Sequence, residues 1–425
     1  MMDLSPLANP LDEPILCGTA ASGLRVLVNH RPAFRRTFAA LGVNFGSVDR
    51  VAGSNGQPVP EGLAHFLEHK LFEDADGDVS DRFAALGGST NAMTGFVGTT
   101  YVVSTVDEPR RCLQLLLHFV QDPWFTDALV AKEQGIIAQE IRMYDDDPDW
   151  RVFFGLLGCL YASHPAKDNI AGTVESIATI DAATLRRCYD LFYRPRNLVL
   201  AVSGALPPDA VAEVVAADQS RRAPDARPPH ARGRADEPLE RRAPRWEERL
   251  SVARPRVLLG IKERALGGDG RELLRRELTT RMLLDLLFGR SSRAWEELYG
   301  DGLVDESFAA SYSTEESFGF STVGGDTDEP ERLEARLRAV FARARSDGFD
   351  DAAFGRLRNK LHGSLLRAVD SPEHVAFSLV SESFRGVLPF EELDVVGSIS
   401  PADLRARLDE HVSDEQIAVA VVRPR

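Results

Sequence analysis

Three short markers recur in the same order along this chain, at near-constant spacing, and that recurrence limits its possible folds more than any single residue does. Asp107-Glu108-Pro109-Arg110 opens an amphipathic segment ending near Val120, and Asp328-Glu329-Pro330-Glu331 opens another ending near Phe341, an offset of 328 − 107 = 221. Phe125-Thr126-Asp127-Ala128 and Phe349-Asp350-Asp351-Ala352 each start a long helical pattern, at an offset of 349 − 125 = 224. Asp181-Ala182-Ala183-Thr184-Leu185-Arg186 and Ser400-Pro401-Ala402-Asp403-Leu404-Arg405 each precede a helix and then an apolar strand, Leu198 to Val202 and Ile417 to Val422. Such regularity predicts two copies of one α+β unit.

Between the copies, Ser220 to Arg245 holds five prolines and eight arginines with few large apolar residues, which reads as an exposed linker. Its arginines alternate with acidic residues and lack aromatic company, so a solvated segment is favoured over an anion-binding arm. The expected division is residues 1–218, a linker over 219–245, and a second unit over 246–425. In the first copy, Leu24 to Val28 and Phe38 to Phe45 read as strands, Gly62 to Phe72 as a helix, and Asn91 to Val106 as one or two strands. Each unit then needs a sheet covered on one face by helices.

A chain of 425 residues is long enough for two or three domains. It has no run of 18 apolar residues, so no membrane-spanning helix is expected. Its start, Met1-Met2-Asp3-Leu4-Ser5-Pro6, lacks the basic and apolar regions of a secretory signal. Cys17, Cys112, Cys159 and Cys188 have no metal-type spacing and read as reduced thiols of a cytoplasmic protein. A net charge of −15 argues against general nucleic-acid binding.

Chemistry concentrates in one pentapeptide. His65, Glu68 and His69 stand at i, i+3 and i+4 and share one helix face. Two imidazoles one turn apart can fill two corners of a tetrahedral zinc site. A carboxylate beside them can take a proton from water whose pKa zinc lowers to about 7. His-x-x-Glu-His is the inverzincin order, the reverse of the commoner zinc-peptidase motif. Leu63, Phe66, Leu67 and Leu71 predict a largely buried helix, on which two histidines and a glutamate need partners; a metal serves all three. A third ligand is required, and the helical segment Ala131 to Met143 offers Glu133 and Glu140, two turns apart on one face. The acidic run Asp145 to Asp147 before Pro148 reads as a solvated helix end. At the 224 offset Glu133 and Glu140 fall on Leu357 and Ser364, and the second half has no His-x-x-Glu-His, so metal chemistry is confined to the first unit.

Over nearly its whole length the chain resembles the pitrilysin and insulysin (insulinase-like) group of inverzincin metallopeptidases, in the short form that includes mitochondrial processing peptidase subunits. The likeness is carried by Gly62 to Phe72, by Gly88-Ser89-Thr90-Asn91-Ala92-Met93-Thr94, by Thr100-Tyr101, and by Glu133 to Glu140. It extends through His164-Pro165, Ile170-Ala171-Gly172 and Glu175-Ser176-Ile177 to Phe192-Tyr193-Arg194-Pro195-Arg196-Asn197. The resemblance implies that His65, His69 and Glu140 are the ligands of one zinc ion, Glu68 the general base, and Glu133 a carboxylate supporting the site. It implies that the strand through Asn91, Ala92 and Thr94 pairs with an extended peptide substrate. It also implies an α+β fold in which two homologous sandwich units form half of a clamshell, closed into a chamber by an identical or homologous subunit. The expected activity is that of a metalloendopeptidase; the alternative is a non-catalytic or partner-dependent subunit serving one dedicated peptide.

One departure stands out. Active relatives carry an Arg and a Tyr seven residues apart in the second unit, which bind substrate and stabilise the oxyanion. Here Tyr299 falls at the Arg position and Val304 or Asp305 near the Tyr position, and the spacing assigns no role to Arg293 or Tyr312. The resemblance therefore implies a partner that supplies the pair.

Overall fold

The computed structural model describes residues 2–52, 57–232 and 236–425. They fold into two compact units, one comprising Met1–Ile141, Asn169–Arg232 and Leu366–Glu391, the other Arg142–Asp168, Gly233–Leu365 and Glu392–Arg425.

The sheet of the first unit is built from β1 (Ser5–Pro6), β2 (Ile15–Thr19), β3 (Arg25–His30), β4 (Thr37–Val43), β5 (Gly88–Thr94), β6 (Thr99–Thr105) and β7 (Leu198–Gly204), in the order β1-β2-β3-β7-β4-β6-β5. The central strands β4 and β7 are buried along their whole length, which is why both read as unbroken apolar runs. At the free edge, β5 alternates between half-buried and exposed residues, the period-2 signature of a strand with one solvated face.

In the second unit β8 (Arg245–Leu250), β9 (Arg256–Lys262), β10 (Ala309–Thr314), β11 (Gly319–Asp326) and β12 (Ile417–Pro424) are ordered β8-β12-β9-β11-β10. This repeats β3-β7-β4-β6-β5. In each sheet the C-terminal strand lies parallel to one neighbour and antiparallel to the other, as β7 does between β3 and β4, and β12 between β8 and β9. The offsets 309 − 88 = 221, 319 − 99 = 220 and 417 − 198 = 219 match the spacing of the sequence markers. Both units are thus mixed α/β layers with helices covering a sheet.

Helix α1 (Leu63–Leu71) packs against β5 and β6, and α2 (Asp127–Asp146) supplies the acidic residues that face it. Two further helices do not stay with the sheet of their own half. Helix α3 (Pro148–Leu160) lies in the second unit on β9 and β12, where Gly155 leaves room for the Trp246 ring and Gly260 for Leu156. Helix α4 (Pro372–Arg385) lies in the first unit on β4 and β7, with Val380 and Phe384 over Gly42 and Phe377 against Phe38. Their starts differ by 372 − 148 = 224, so they are counterparts in the repeat. The division expected at 219–245 follows the chain order of the two sheets, whereas the compact units exchange one helix each. A helical period shows that a face is apolar and leaves open which sheet covers it.

The segment expected as an exposed linker is anchored where it is described; its residues 233–235 lie outside the described residues. Within the first unit Asp225 accepts from Arg194 at 2.7 Å, and Asp49 accepts from Arg232 at 2.9 Å and pairs with His230 at 2.9 Å. Within the second, Glu237 accepts the backbone N–H groups of Ala162, Ser163 and His164 and the ammonium of Lys262. Buried carboxylates require partners: the linker supplies His230 and Arg232 to Asp49, while its own Glu237 finds Lys262 and three backbone N–H groups.

Candidate metal centre

Helix α1 begins at Gly62, whose φ of 81° and contact with the Ala171 carbonyl leave no room for a Cβ. Leu63, Phe66, Leu67 and Leu71 are buried with at most 2% of their surface exposed, as the apolar pattern predicted, and they fix the rotation of the helix. His65 and His69, one turn apart, then lie side by side with ring centroids 4.5 Å apart. On α2, Val130, Ile137 and Ile141 are buried and turn Glu133 and Glu140 toward α1. Ile136 lies off that face and is 44% exposed.

Glu140 bridges the two imidazoles. Its Oε1 is 3.6 Å from His65 Nε2 and its Oε2 is 3.4 Å from His69 Nε2, both beyond ordinary hydrogen-bond length. Metal–ligand bonds of about 2.0–2.1 Å at tetrahedral angles put neighbouring donor atoms about 3.3–3.4 Å apart, so this spacing suits a zinc ion between them. Donor atoms of His65, His69 and Glu140 all lie within 4.8 Å of one another, and no other such grouping of His, Cys, Asp or Glu exists among the described residues. Two imidazoles and one carboxylate are the donor types found in catalytic zinc sites, which keep a fourth position for water or substrate.

The surrounding groups are tuned by burial and by each other. Burial, together with the neighbouring His69, pushes the His65 pKa down to about 4, leaving a neutral imidazole with a lone pair to offer. Burial disfavours the charged form of His69 as well, but its hydrogen bond to Glu133 and the nearby Glu140 charge outweigh this and raise its pKa. Glu133 Oε1 lies 3.1 Å from His69 Nδ1, a contact that directs the N–H to the carboxylate and the Nε2 lone pair toward Glu140. Burial would raise Glu133, yet His69 and Lys70 hold it below the usual carboxylate range. Glu68 is outside the donor trio but near enough to feel the charges of His69 and Glu140. Burial raises its pKa, against the effect of the Thr94 hydroxyl, which donates to Glu68 Oε2 at 2.5 Å.

The structure thus gathers His65, Glu68, His69, Glu133, Glu140 and Thr94. Thr94, expected to meet substrate, spends its hydroxyl on Glu68. The Gly95 N–H bonds to the Gly98 carbonyl at the hairpin turn, so alternation along the ladder turns the backbone groups of Thr94, Ala92 and Thr90 outward from the free edge of β5. Asn91 is on the opposite face from Thr94 and folds its Oδ1 back onto the Ala92 N–H at 2.9 Å. Lys70, fully buried beside His69, is a neighbour the sequence reading passed over; its signal was a lysine on an otherwise apolar helix face.

In the second unit none of Arg293, Tyr299, Val304, Asp305 and Tyr312 supplies a free Arg–Tyr pair. Tyr299 stacks on Trp295, Val304 is buried, and Asp305 accepts from Arg254. Arg293 pairs with Glu297, and Tyr312 is buried with its hydroxyl donated to Glu263. The acidic run read as a helix end is one: Asp147 caps α3 by accepting from the Asp149 N–H at 2.8 Å.

Comparison with known proteins gives a consistent picture. Residues 25–174 match the family profile described as insulinase (peptidase family M16), and residues 179–361 match the one described as peptidase M16 inactive domain. The zinc protease YmfH of Bacillus subtilis, itself uncharacterized, is 37% identical over 98% of both chains. A crystal structure of an M16-like peptidase from Alicyclobacillus acidocaldarius is 36% identical and superimposes with a TM-score of 0.94, covering 99% of this chain and 100% of that one. The periplasmic protease PqqL of Escherichia coli shares the fold at 18% identity and a TM-score of 0.76, and the match covers all of this chain but 48% of PqqL.

Proposed function

This chain belongs to the insulinase (peptidase M16) family, whose relatives are named zinc proteases, and we propose that it is a zinc-dependent endopeptidase acting on peptides or unfolded segments. The observation that carries the proposal is the convergence of His65, His69 and Glu140 within 4.8 Å, with Glu68 on the same helix and outside that trio. Zinc held by the three would act as a Lewis acid and lower the pKa of water in its open position. Glu68 takes the proton of the attacking water and delivers it to the departing amine; its raised pKa suits a group that must both accept and release a proton near neutrality. Glu133 orients His69. The outward backbone groups of Thr90, Ala92 and Thr94 hold an extended substrate as an added strand, once the Asn91 amide has moved off the Ala92 N–H.

A second reading is supported by the second unit. With Tyr299 and Val304 or Asp305 at the positions where the resemblance expects the Arg and the Tyr, the chain works with an identical or homologous subunit that supplies that pair and closes a chamber, or it serves as a partner-dependent maturation subunit. The match of residues 179–361 to a profile described as an inactive domain favours keeping this reading. The free thiols of Cys17, Cys112, Cys159 and Cys188 support a reducing, cytoplasmic setting, and no helix of the described residues is long and apolar enough to cross a membrane.

The test is to purify the chain, measure its zinc, and assay a quenched-peptide library with and without a chelator. Cleavage that is lost on chelation, restored by zinc and abolished in Glu68→Gln supports a self-sufficient peptidase. One zinc per chain without cleavage supports the partner-dependent reading, and absence of zinc uptake refutes both. Mid-domain cutting of an intact folded protein as fast as a peptide would refute the chamber.

A further inference from the structure

We propose that Lys70 is a positioning residue for the candidate metal centre, acting on His69 through Glu133. The Lys70 side chain is fully buried, one residue beyond His69 on α1. Its ammonium lies 2.5 Å from Glu73 Oε2 and 3.6 Å from Glu133 Oε2, while the other oxygen of Glu133 takes the Nδ1 of His69 at 3.1 Å. Glu73 in turn reaches the exposed Lys132 at 3.1 Å. Opposite charges therefore alternate from the surface inward along Lys132, Glu73, Lys70 and Glu133, which meets His69.

Burying an ammonium is costly, and an apolar side chain of similar volume serves packing as well or better. What an apolar residue cannot do is hold a buried carboxylate in one orientation by pairing with one of its oxygens. With one oxygen facing Lys70, Glu133 has its second oxygen free for the His69 N–H, which leaves the Nε2 lone pair directed to the position between His69 and Glu140. Lys70 is shared between the two carboxylates, so Glu73 and Glu133 are both held toward it while Oε1 of Glu133 stays on His69 Nδ1. This role rests on the reading of His65, His69 and Glu140 as metal ligands.

The experiment measures zinc affinity of the purified full chain by competition with a chelator of known affinity, together with the visible spectrum of the cobalt-substituted protein and the circular dichroism of each variant. Lys70→Met is expected to stay folded and to bind zinc about 10- to 100-fold more weakly, with altered cobalt bands, the range found when partners of metal-ligating histidines are lost. Glu133→Gln is expected to lose a similar factor. Adding Lys70→Met to Glu133→Gln then changes affinity by less than about twofold, because the line is already broken. If Lys70→Met fails to fold, Lys70→Gln and the double variant, which removes both members of the buried pair, decide the question. A folded Lys70 variant that binds zinc like the wild type overturns the proposal, as does a double variant that loses a further tenfold. A wild-type chain that takes up no zinc overturns the metal-centre reading itself, a result distinct from either of these.

Discussion

Replacing Thr94 by valine isolates one hydrogen bond to the proposed base. The Thr94 hydroxyl donates to Glu68 Oε2 at 2.5 Å, and it offsets part of the rise that burial imposes on the Glu68 pKa. Valine fills the same space without the donor. The nearby Thr99 hydroxyl keeps its own acceptor, the Phe45 carbonyl at 3.0 Å, so the substitution strands no other group. A hydrogen bond to an ionised group contributes about 1.5–3 kcal/mol, and one pKa unit corresponds to about 1.4 kcal/mol. Losing a bond that favours the ionised carboxylate therefore raises Glu68 by about 1–2 units. A general base works when ionised, so the acid limb of kcat/KM against pH moves upward by the same amount while the alkaline limb stays in place. Any charge of a bound ion acts on both proteins alike and drops out of the difference. The assay is quenched-peptide hydrolysis from acid to alkaline pH, with zinc content measured for each preparation. An acid limb that stays put or moves to lower pH at unchanged zinc content would refute the pairing of Thr94 with the base.

Three further outcomes concern the scaffold. His164 is buried and its pKa is pushed down to about 4 from 6.5, so it folds neutral; the stability it contributes is complete above pH 6.5 and lost as pH falls toward 4, a loss of about 3 kcal/mol that His164→Gln should remove from the acid slope of urea midpoints. Arg407→Met leaves Glu263 buried beside Tyr312 and His411 without its cation and should cost about 3–5 kcal/mol, with most of it recovered in Arg407→Met/Glu263→Met; equal stabilities of wild type and single variant in denaturant titrations would contradict this. Gly42→Ala places a Cβ 2.3 Å from Val380 on α4 and should lower stability by about 1–3 kcal/mol, relieved by Val380→Ala; additive effects of the two would mean that α4 does not seat on β4.

Much of the site was legible in the chain because its parts are local. His65, Glu68 and His69 belong to one helix, and the flanking leucines and Phe66 dictate which way that helix turns. Glu133 and Glu140 share a face for the same reason. The offset near 220 residues was visible because both sheets reuse one strand order. Roles that depend on contacts distant in sequence were not legible. That the Thr94 hydroxyl donates to Glu68, 26 residues away, was not visible in the chain, and Lys70 stood in the motif without a function until Glu73 and Glu133 were placed around it.

The sequence by itself determined the kinds of element, the twofold repeat and the inverted zinc motif, since periodicity and i, i+3, i+4 spacing are properties of a short stretch of backbone. Tertiary structure alone decided that α3 covers the sheet of the second unit and α4 that of the first, that the arginine-rich linker is anchored by buried carboxylates, and that Glu133 rather than Glu140 meets His69 Nδ1. An apolar face or a charged side chain states what it needs, and its partner is settled only when separate segments are brought together, as His69 and Glu133 are across 64 residues.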